Sequence, residues 1–103
     1  MFDGLMPGAD GAIGATFNVM CDKAVKLYSA FKSNDFDSCR ELQDEICGVI
    51  STTSRLGGLK SVKALLCMLG YEVGQLRAPF EPLSDDAINE LRGEVIPRLS
   101  LKV

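Results

Sequence analysis

The stretch Pro7-Gly8-Ala9-Asp10-Gly11-Ala12-Ile13-Gly14-Ala15-Thr16-Phe17-Asn18-Val19-Met20 decides how the rest of the sequence is interpreted. Its glycines recur at every third position, a pattern that allows close backbone approach and positive φ angles. We expect a short apolar strand, Ala12-Ile13, between these glycines, running into a helix. A strand with so little side chain to pack suits a position whose carboxyl end faces a ligand or a crowded barrel interior.

Two other interpretations of this stretch are open. A phosphate-binding glycine loop is disfavoured, because the spacing is neither G-x-G-x-x-G nor G-x-x-x-x-G-K-[ST] and no buried strand of useful length precedes it. A glycine-rich N-terminal loop without any ligand is the simplest interpretation and is always available.

Two later stretches follow the first one in a recognisable order. Residues 57–71 read GGLKSVKALLCMLGY, and residues 77–84 read RAPFEPLS. Together with GADGAIGATFNVM, they resemble the C-terminal third of the N-acetylneuraminate lyase and dihydrodipicolinate synthase family. The resemblance is to the lyase branch in particular, which typically reads G-A-D-G-A-I-G-S-T-[FY]-N, then G-L-K-x-x-x-x-x-x-G, then R-x-P-F-x-P-[LV]-[ST].

The resemblance implies a mostly α-helical fold class, namely the last strand plus the C-terminal helices of a (β/α)8 TIM barrel. A complete barrel takes about 200 to 250 residues, whereas this chain has 103, so an incomplete barrel is expected. Residues 1–103 would then be a single C-terminal portion of a TIM-barrel lyase. Within it, residues 1–20 would hold a loop and the last barrel strand, and residues 21–103 would hold helices.

The resemblance places the catalytic groups outside this chain. In the family, a lysine on the sixth barrel strand forms a Schiff base with a keto acid such as pyruvate, and a tyrosine from an earlier loop relays protons. Both elements would lie before Met1, so no catalytic residue is expected here. Lys60 and Lys63 are no substitute, since the resemblance places them on an outer helix far from the barrel mouth.

The implied function is that of a Schiff-base aldolase cleaving a 2-keto-3-deoxy sugar acid to pyruvate and an aldehyde, with no activity expected from this portion alone. As substrate-binding residues, Ile13 would line the pyruvate pocket, and Ala15 would stand where the lyase branch usually places a serine near the sugar. Because alanine lacks that hydroxyl, a dihydrodipicolinate synthase-like enzyme is an alternative. A non-catalytic helical interaction module is the other alternative, supported by the absent lysine and the absence of histidine.

Composition argues against several other classes of function. The chain has 14 acidic and 11 basic residues and no basic patch with interleaved aromatic residues, so a nucleic-acid partner is not expected. The longest apolar run, residues 64–69, is far shorter than the ~20 residues of a membrane span. No charged region followed by an apolar stretch opens the chain, and we therefore expect a cytoplasmic protein without membrane contact.

The cysteines and the absence of histidine argue against a metal site. The four cysteines, Cys21, Cys39, Cys47 and Cys67, contain no C-x-x-C pair. Their number allows disulfides, but their positions near apolar helical residues favour buried, reduced thiols. Neither a metal nor a cofactor is expected.

Hydrophobic periodicity predicts helices through most of the chain. The first helix spans Thr16 to Lys32 and becomes regular from Asp22. The second follows an N-cap at Asp35 and runs to about Thr53.

Two more helices are predicted beyond this point. The third spans residues 59–69, and the fourth follows an N-cap at Ser84 and is kinked or ended by Pro97. At the other end of the chain, turn signals predict a loop over Met1 to Pro7.

A lone glycine-rich strand cannot satisfy its ladder hydrogen bonds. In a complete barrel, two of the helical faces would pack against the barrel wall, which this chain does not supply. The chain is therefore expected to self-associate, to bind a complementary barrel portion, or to leave Met1 to Thr16 disordered. The keto-acid or sugar-acid substrate would bind only in a complete barrel. A sharp monomer in size-exclusion chromatography, with a cooperative melt and an ordered N-terminus, would contradict this expectation.

Overall fold

The computed structural model describes residues 1–99, which contain five α-helices. They are α1 (Phe2–Leu5), α2 (Phe17–Lys32), α3 (Phe36–Leu56), α4 (Leu59–Met68) and α5 (Asp85–Glu90). A π-helical segment, Leu91–Val95, and a 3₁₀ turn, Ile96–Arg98, continue directly from α5. The helices predicted from periodicity are all present, and α1 is an additional one.

A short turn joins α2 to α3. Asn34 has a φ of 59°, in the left-handed region, and the backbone N–H of Asp35 donates to the Ala30 carbonyl at 2.9 Å, which closes α2. The Asp35 carboxylate accepts from the Ser38 backbone N–H at 3.2 Å and from its hydroxyl at 2.7 Å. Asp35 is therefore the N-cap of α3, as predicted, and these two hydrogen bonds hold the pKa of its carboxyl below the usual value.

The core lies mainly between α2 and α3. Six of their apolar side chains are at most 1% exposed: Val19, Met20, Leu27, Cys39, Ile46 and Val49. Leu65 of α4 and both Leu91 and Val95 of the π-helical segment are also fully buried. One hydrophobic cluster therefore joins the N-terminal helix to the C-terminal segment.

The predicted loop over Met1–Pro7 is wrong, because α1 forms there and packs on the core. Leu5 is 2% exposed, and the ring of Phe2 lies 6.4 Å from that of Phe31 and 5.9 Å from that of Phe36, measured between centroids. So short a helix is not stable by itself in water, and tertiary packing of this kind is what holds it. Turn signals in the local sequence carry no information about such packing.

The predicted strand at Ala12-Ile13 is also not formed, since no β-strand occurs among residues 1–99. A strand exists only where a neighbouring strand accepts and donates its ladder hydrogen bonds, and the described residues supply no such neighbour. Residues 1–20 instead contain α1, an irregular glycine-rich segment and the first turn of α2.

The last helix begins and ends as its sequence predicts. The hydroxyl of Ser84 accepts from the backbone N–H of Ala87 at 3.2 Å and so caps α5. Pro97 has no N–H to offer the carbonyl of Gly93, four residues earlier, and the helix changes from α to π and then to 3₁₀ geometry in this region.

The cysteines are only partly as expected. All four are free thiols, but only Cys39 is buried, and the prediction of burial is wrong for Cys21, Cys47 and Cys67. Those three lie beside apolar positions in sequence, yet each side chain points to the solvent side of its helix. Burial raises the pKa of the Cys39 thiol, and the nearby Asp35 carboxylate raises it further.

Candidate functional site

The glycine-rich segment, residues 8–16, connects α1 to α2 and contains both predicted substrate contacts. Gly8 has a φ of +119°, a left-handed conformation that favours glycine, and lets the chain turn away from α1. The backbone N–H of Gly8 donates to the Leu5 carbonyl at 3.1 Å, and that of Ala9 donates to the Gly4 carbonyl at 3.2 Å. None of residues 8–16 is buried.

Ile13 and Ala15 lie two positions apart on this segment, and both are exposed. Ile13 is 103% exposed, more than any other large apolar residue among residues 1–99. The carbonyl of Ala15 accepts from the backbone N–H of Asn18 at 3.2 Å and from its side-chain amide at 2.8 Å. The backbone of Ala15 is thus fixed at the start of α2, while its methyl group faces solvent. Their role in substrate binding stays a prediction.

Tyr28 ties the segment to the body of the molecule. Its hydroxyl donates to the backbone carbonyl of Asp10 at 3.1 Å, and the ammonium of Lys32 lies 5.3 Å from the centre of its ring. Helical periodicity alone marks Tyr28 as part of the apolar stripe of α2 and does not identify this contact. The phenolic hydroxyl is the feature of the sequence that could have indicated this contact, because a tyrosine at the edge of a core usually forms a hydrogen bond.

The beginning of α2, directly after the segment, is irregular. Thr16 occupies the N-cap position without a side-chain cap, and Met20 has φ −143° and ψ 37°, which kinks the helix. Two residues later, both carboxylate oxygens of Asp22 are shielded from solvent and have no hydrogen-bond partner among residues 1–99. The expectation that α2 becomes regular only from Asp22 is confirmed by the position of this kink.

The lysines near the middle of the chain lie on α4, as the resemblance implied. The ammonium of Lys63 donates to the backbone carbonyl of Val73 at 3.1 Å and holds the chain that follows α4. Lys60, on the same helix, is half-buried. Within residues 1–99, no group of three or more histidine, cysteine, aspartate or glutamate side chains is placed to hold a metal ion.

Comparison with known proteins decides the family. The model of the dihydrodipicolinate synthetase family matches residues 1–96. The chain belongs to the dihydrodipicolinate synthetase family. It is 35% identical over 89 residues to N-acetylneuraminate lyase 2 of Escherichia coli O6:H1, covering 85% of this chain and 29% of that protein. It is 34% identical over 97 residues to N-acetylneuraminate lyase of Rhizobium meliloti strain 1021, covering 94% of this chain and 32% of the relative.

Solved structures confirm the fold of this family member. N-acetylneuraminate lyase of Proteus mirabilis superposes with a TM-score of 0.84 at 23% identity, covering 96% of this chain and 33% of that chain. The fold is therefore the helical C-terminal part of a TIM barrel, as the sequence predicted. The chain spans about a third of the length of the relatives that it matches. Among residues 1–99, no helix has the length and apolar character needed to cross a bilayer.

Proposed function

We propose that this chain works as the C-terminal portion of an N-acetylneuraminate lyase-like Schiff-base aldolase, which cleaves a 2-keto-3-deoxy sugar acid to pyruvate and an aldehyde. The observation that carries the proposal is the family match over residues 1–96, together with relatives named as lyases at 34% and 35% identity. A lysine supplied from outside these 103 residues would form the imine with the keto group. This chain would contribute one wall of the pocket.

The glycine-rich segment supplies that wall in the proposal. The side chain of Ile13 makes no packing contact that hides it from solvent, so it is free to cover the methyl or methylene side of a keto acid. The methyl group of Ala15 would lie next to the remainder of the substrate. Neither side chain can donate a hydrogen bond or transfer a proton, so both would shape the pocket and would not perform the chemistry.

Exposed apolar surface supports a complementary barrel portion as the partner. Besides Ile13, seven large apolar side chains are at least 36% exposed: Met6, Val25, Ile50, Leu59, Tyr71, Val73 and Phe80. Burial of such side chains contributes roughly 25 cal/mol per Å² of apolar surface, which favours association with a matching wall. We further propose a cytoplasmic location, where exposed thiols such as Cys21 and Cys47 stay reduced.

Complementation tests the proposal directly. The part of the Escherichia coli O6:H1 relative that this chain does not match would be produced with and without the present chain. Pyruvate release from N-acetylneuraminate is expected only from the combination. Borohydride treatment with pyruvate should then label the complementing polypeptide and leave this chain unlabelled.

The other results of this experiment have definite meanings. Covalent labelling of the present chain would contradict the placement of the nucleophile outside it. Assembly of the two polypeptides without turnover or labelling would favour the non-catalytic interaction module.

Ala15 favours a second candidate, a dihydrodipicolinate synthase-like enzyme, because a methyl group cannot bind a sugar hydroxyl. In the complemented enzyme, Ala15→Ser would restore the hydroxyl that is typical of the lyase branch. We expect KM for N-acetylneuraminate to fall by about 2- to 10-fold, the value of one hydrogen bond of 0.5–1.5 kcal/mol. Ala12→Ser, in the same exposed segment, is the matched control. Equal effects of both variants, or none, would favour pyruvate condensation with a different aldehyde.

A further inference from the structure

A cavity of about 330 Å³ lies on the side of the molecule formed by α4, the connector of residues 70–84 and the C-terminal helical segments. One wall consists of Lys60, Ala64 and Met68, which follow each other at helical spacing along one face of α4. Leu83 of the connector and Ile88 of α5 provide apolar surface opposite. The volume falls within the range typical of small-molecule sites.

The connector that covers this cavity is held at several points. The backbone N–H of Tyr71 donates to the Leu66 carbonyl at 2.9 Å, and the Lys63 ammonium bonds the Val73 carbonyl. At the far end, Leu83 packs so closely on Gly57 that a Cβ there would lie 2.8 Å from the Leu83 Cδ2 atom. The cavity is therefore already formed in the free chain, which lowers the ordering entropy that a ligand must overcome.

The charge of the cavity is unusual for this chain. Its lining contains the cations Lys60, Lys63 and Arg92 and the single carboxylate Glu81. None of these four forms an ion pair among residues 1–99. The chain as a whole has a net charge of −3, so the cavity collects positive charge that the described structure leaves uncompensated.

A second cavity shows the contrasting case. Lys23 and Glu45, which line it, form an ion pair at 2.6 Å, and Asp44 and Arg98 add one charge of each sign. Charges in that cavity compensate each other, so its lining carries no excess of either sign. The cavity beside α4 differs in having both an excess of cations and apolar walls.

We propose that the cavity beside α4 binds a small organic carboxylate with an apolar body. The carboxylate would be held by Lys60 and Arg92, and the body would cover Met68, Leu83 and Ile88. Arginine presents a planar fork that matches a carboxylate, whereas the apolar walls give no advantage to an inorganic anion. The site is separate from the glycine-rich segment, and the inference does not depend on the proposed lyase function.

A titration with three matched probes tests the two requirements separately. The 103-residue chain would be titrated with phenylacetate, phenylacetamide and acetate, with binding followed by NMR shifts of the Ala64 and Met68 methyl groups. Phenylacetate is expected to bind at least several-fold more tightly than either the uncharged amide or the anion without a ring. Equal affinity for phenylacetate and phenylacetamide, or shift changes confined to other parts of the molecule, would overturn the proposal.

Charge-removing variants locate the anion. Lys60→Gln and Arg92→Gln are each expected to weaken phenylacetate binding about 3-fold, as suits partly exposed ion pairs, and the affinity should fall with added salt. Arg92 is exposed and Lys60 is half-buried rather than part of the core, so the fold should be retained. Lys26→Gln, an exposed lysine on α2, is the matched control and should leave binding unchanged. An equal loss in the control would show general charge attraction only and would overturn the assignment.

Discussion

The glycine-rich segment and the α2–α3 pair are neighbours in sequence but are held in different ways. No residue of the segment is buried, and Tyr28 joins it to the body through a single side-chain hydrogen bond to Asp10. The α2–α3 pair buries six apolar side chains almost completely. The helical pair therefore contributes most of the stability, whereas the segment is shaped by its own turns and leaves its side chains exposed.

The largest effect on stability is expected when the same substitution, isoleucine to alanine, is made in each of the two regions. Ile46→Ala removes a side chain that is 1% exposed on α3 and is expected to lower the free energy of unfolding by about 2–5 kcal/mol. Ile13→Ala removes one that is 103% exposed and should change it by less than about 0.5 kcal/mol. Urea unfolding followed by circular dichroism measures both. Similar losses for the two variants would show that the segment is part of the folded core.

The next effect concerns the start of α3. Asp35→Ala removes the cap and should lower the urea midpoint at pH 7, whereas Asp35→Asn keeps a capping oxygen and should lower it less. Hydrogen bonds from Ser38 lower the pKa of Asp35 in the folded state. The contribution of its charge to the free energy of unfolding is therefore fully present above pH 3.8, the ordinary pKa of the group. This contribution is lost as the pH falls through the lower pKa of the folded state.

Unfolding measurements across this pH range check the sign. The difference in urea midpoint between the wild type and Asp35→Ala should become smaller as the pH is lowered below 3.8. A difference that stays constant would mean that the carboxylate charge does not contribute to the cap.

A smaller effect tests how the segment is attached. Tyr28→Phe removes the hydroxyl that bonds the Asp10 carbonyl and should speed amide exchange in residues 8–16. The free energy of global unfolding should change by less than about 1 kcal/mol, because the bond is exposed. Tyr71→Phe is the control, since Tyr71 is 57% exposed and its hydroxyl has no hydrogen bond among residues 1–99. Unchanged exchange in Tyr28→Phe would show that backbone turns alone fix the segment.

The smallest effect is expected where α5 meets the core. The guanidinium of Arg55 on α3 lies 2.5 Å from the Glu90 carboxylate, and this hydrogen bond lowers the pKa of Glu90. Glu90→Gln should slightly lower the melting temperature at low salt and have no effect in 1 M NaCl, where the Debye length is ~3 Å. Glu94→Gln, whose carboxylate lies 3.9 Å from the same guanidinium, should have no effect at either salt concentration.

The sequence was most informative where the chemistry is local. The caps at Asp35 and Ser84, the end of α2 at Lys32 and the helix change near Pro97 depend on residues within one turn of each other, and all were predicted. The strand at Ala12-Ile13 was not formed and the helix α1 was missed. Both depend on partners far away in sequence, which periodicity does not report.

In the candidate site, too, local features were predicted from the sequence and contacts between distant residues were not. Motif similarity pointed to Ile13 and Ala15 and to the family, since these depend only on residue order. Motif similarity did not reveal the contact from Tyr28 to Asp10 or the shielded carboxylate of Asp22. Both side chains lie on α2, which is kinked at Met20, and their surroundings do not follow from residue order.

The sequence by itself determined the family, the helical character and the boundaries of the main helices, because capping groups, glycine spacing and apolar periodicity act over a few residues. Only the tertiary structure decided that α1 forms, that three cysteines face solvent, and that Lys60 and Arg92 share a cavity. These features depend on which helix faces meet, and that is set by the packing of residues separated by tens of positions in the chain.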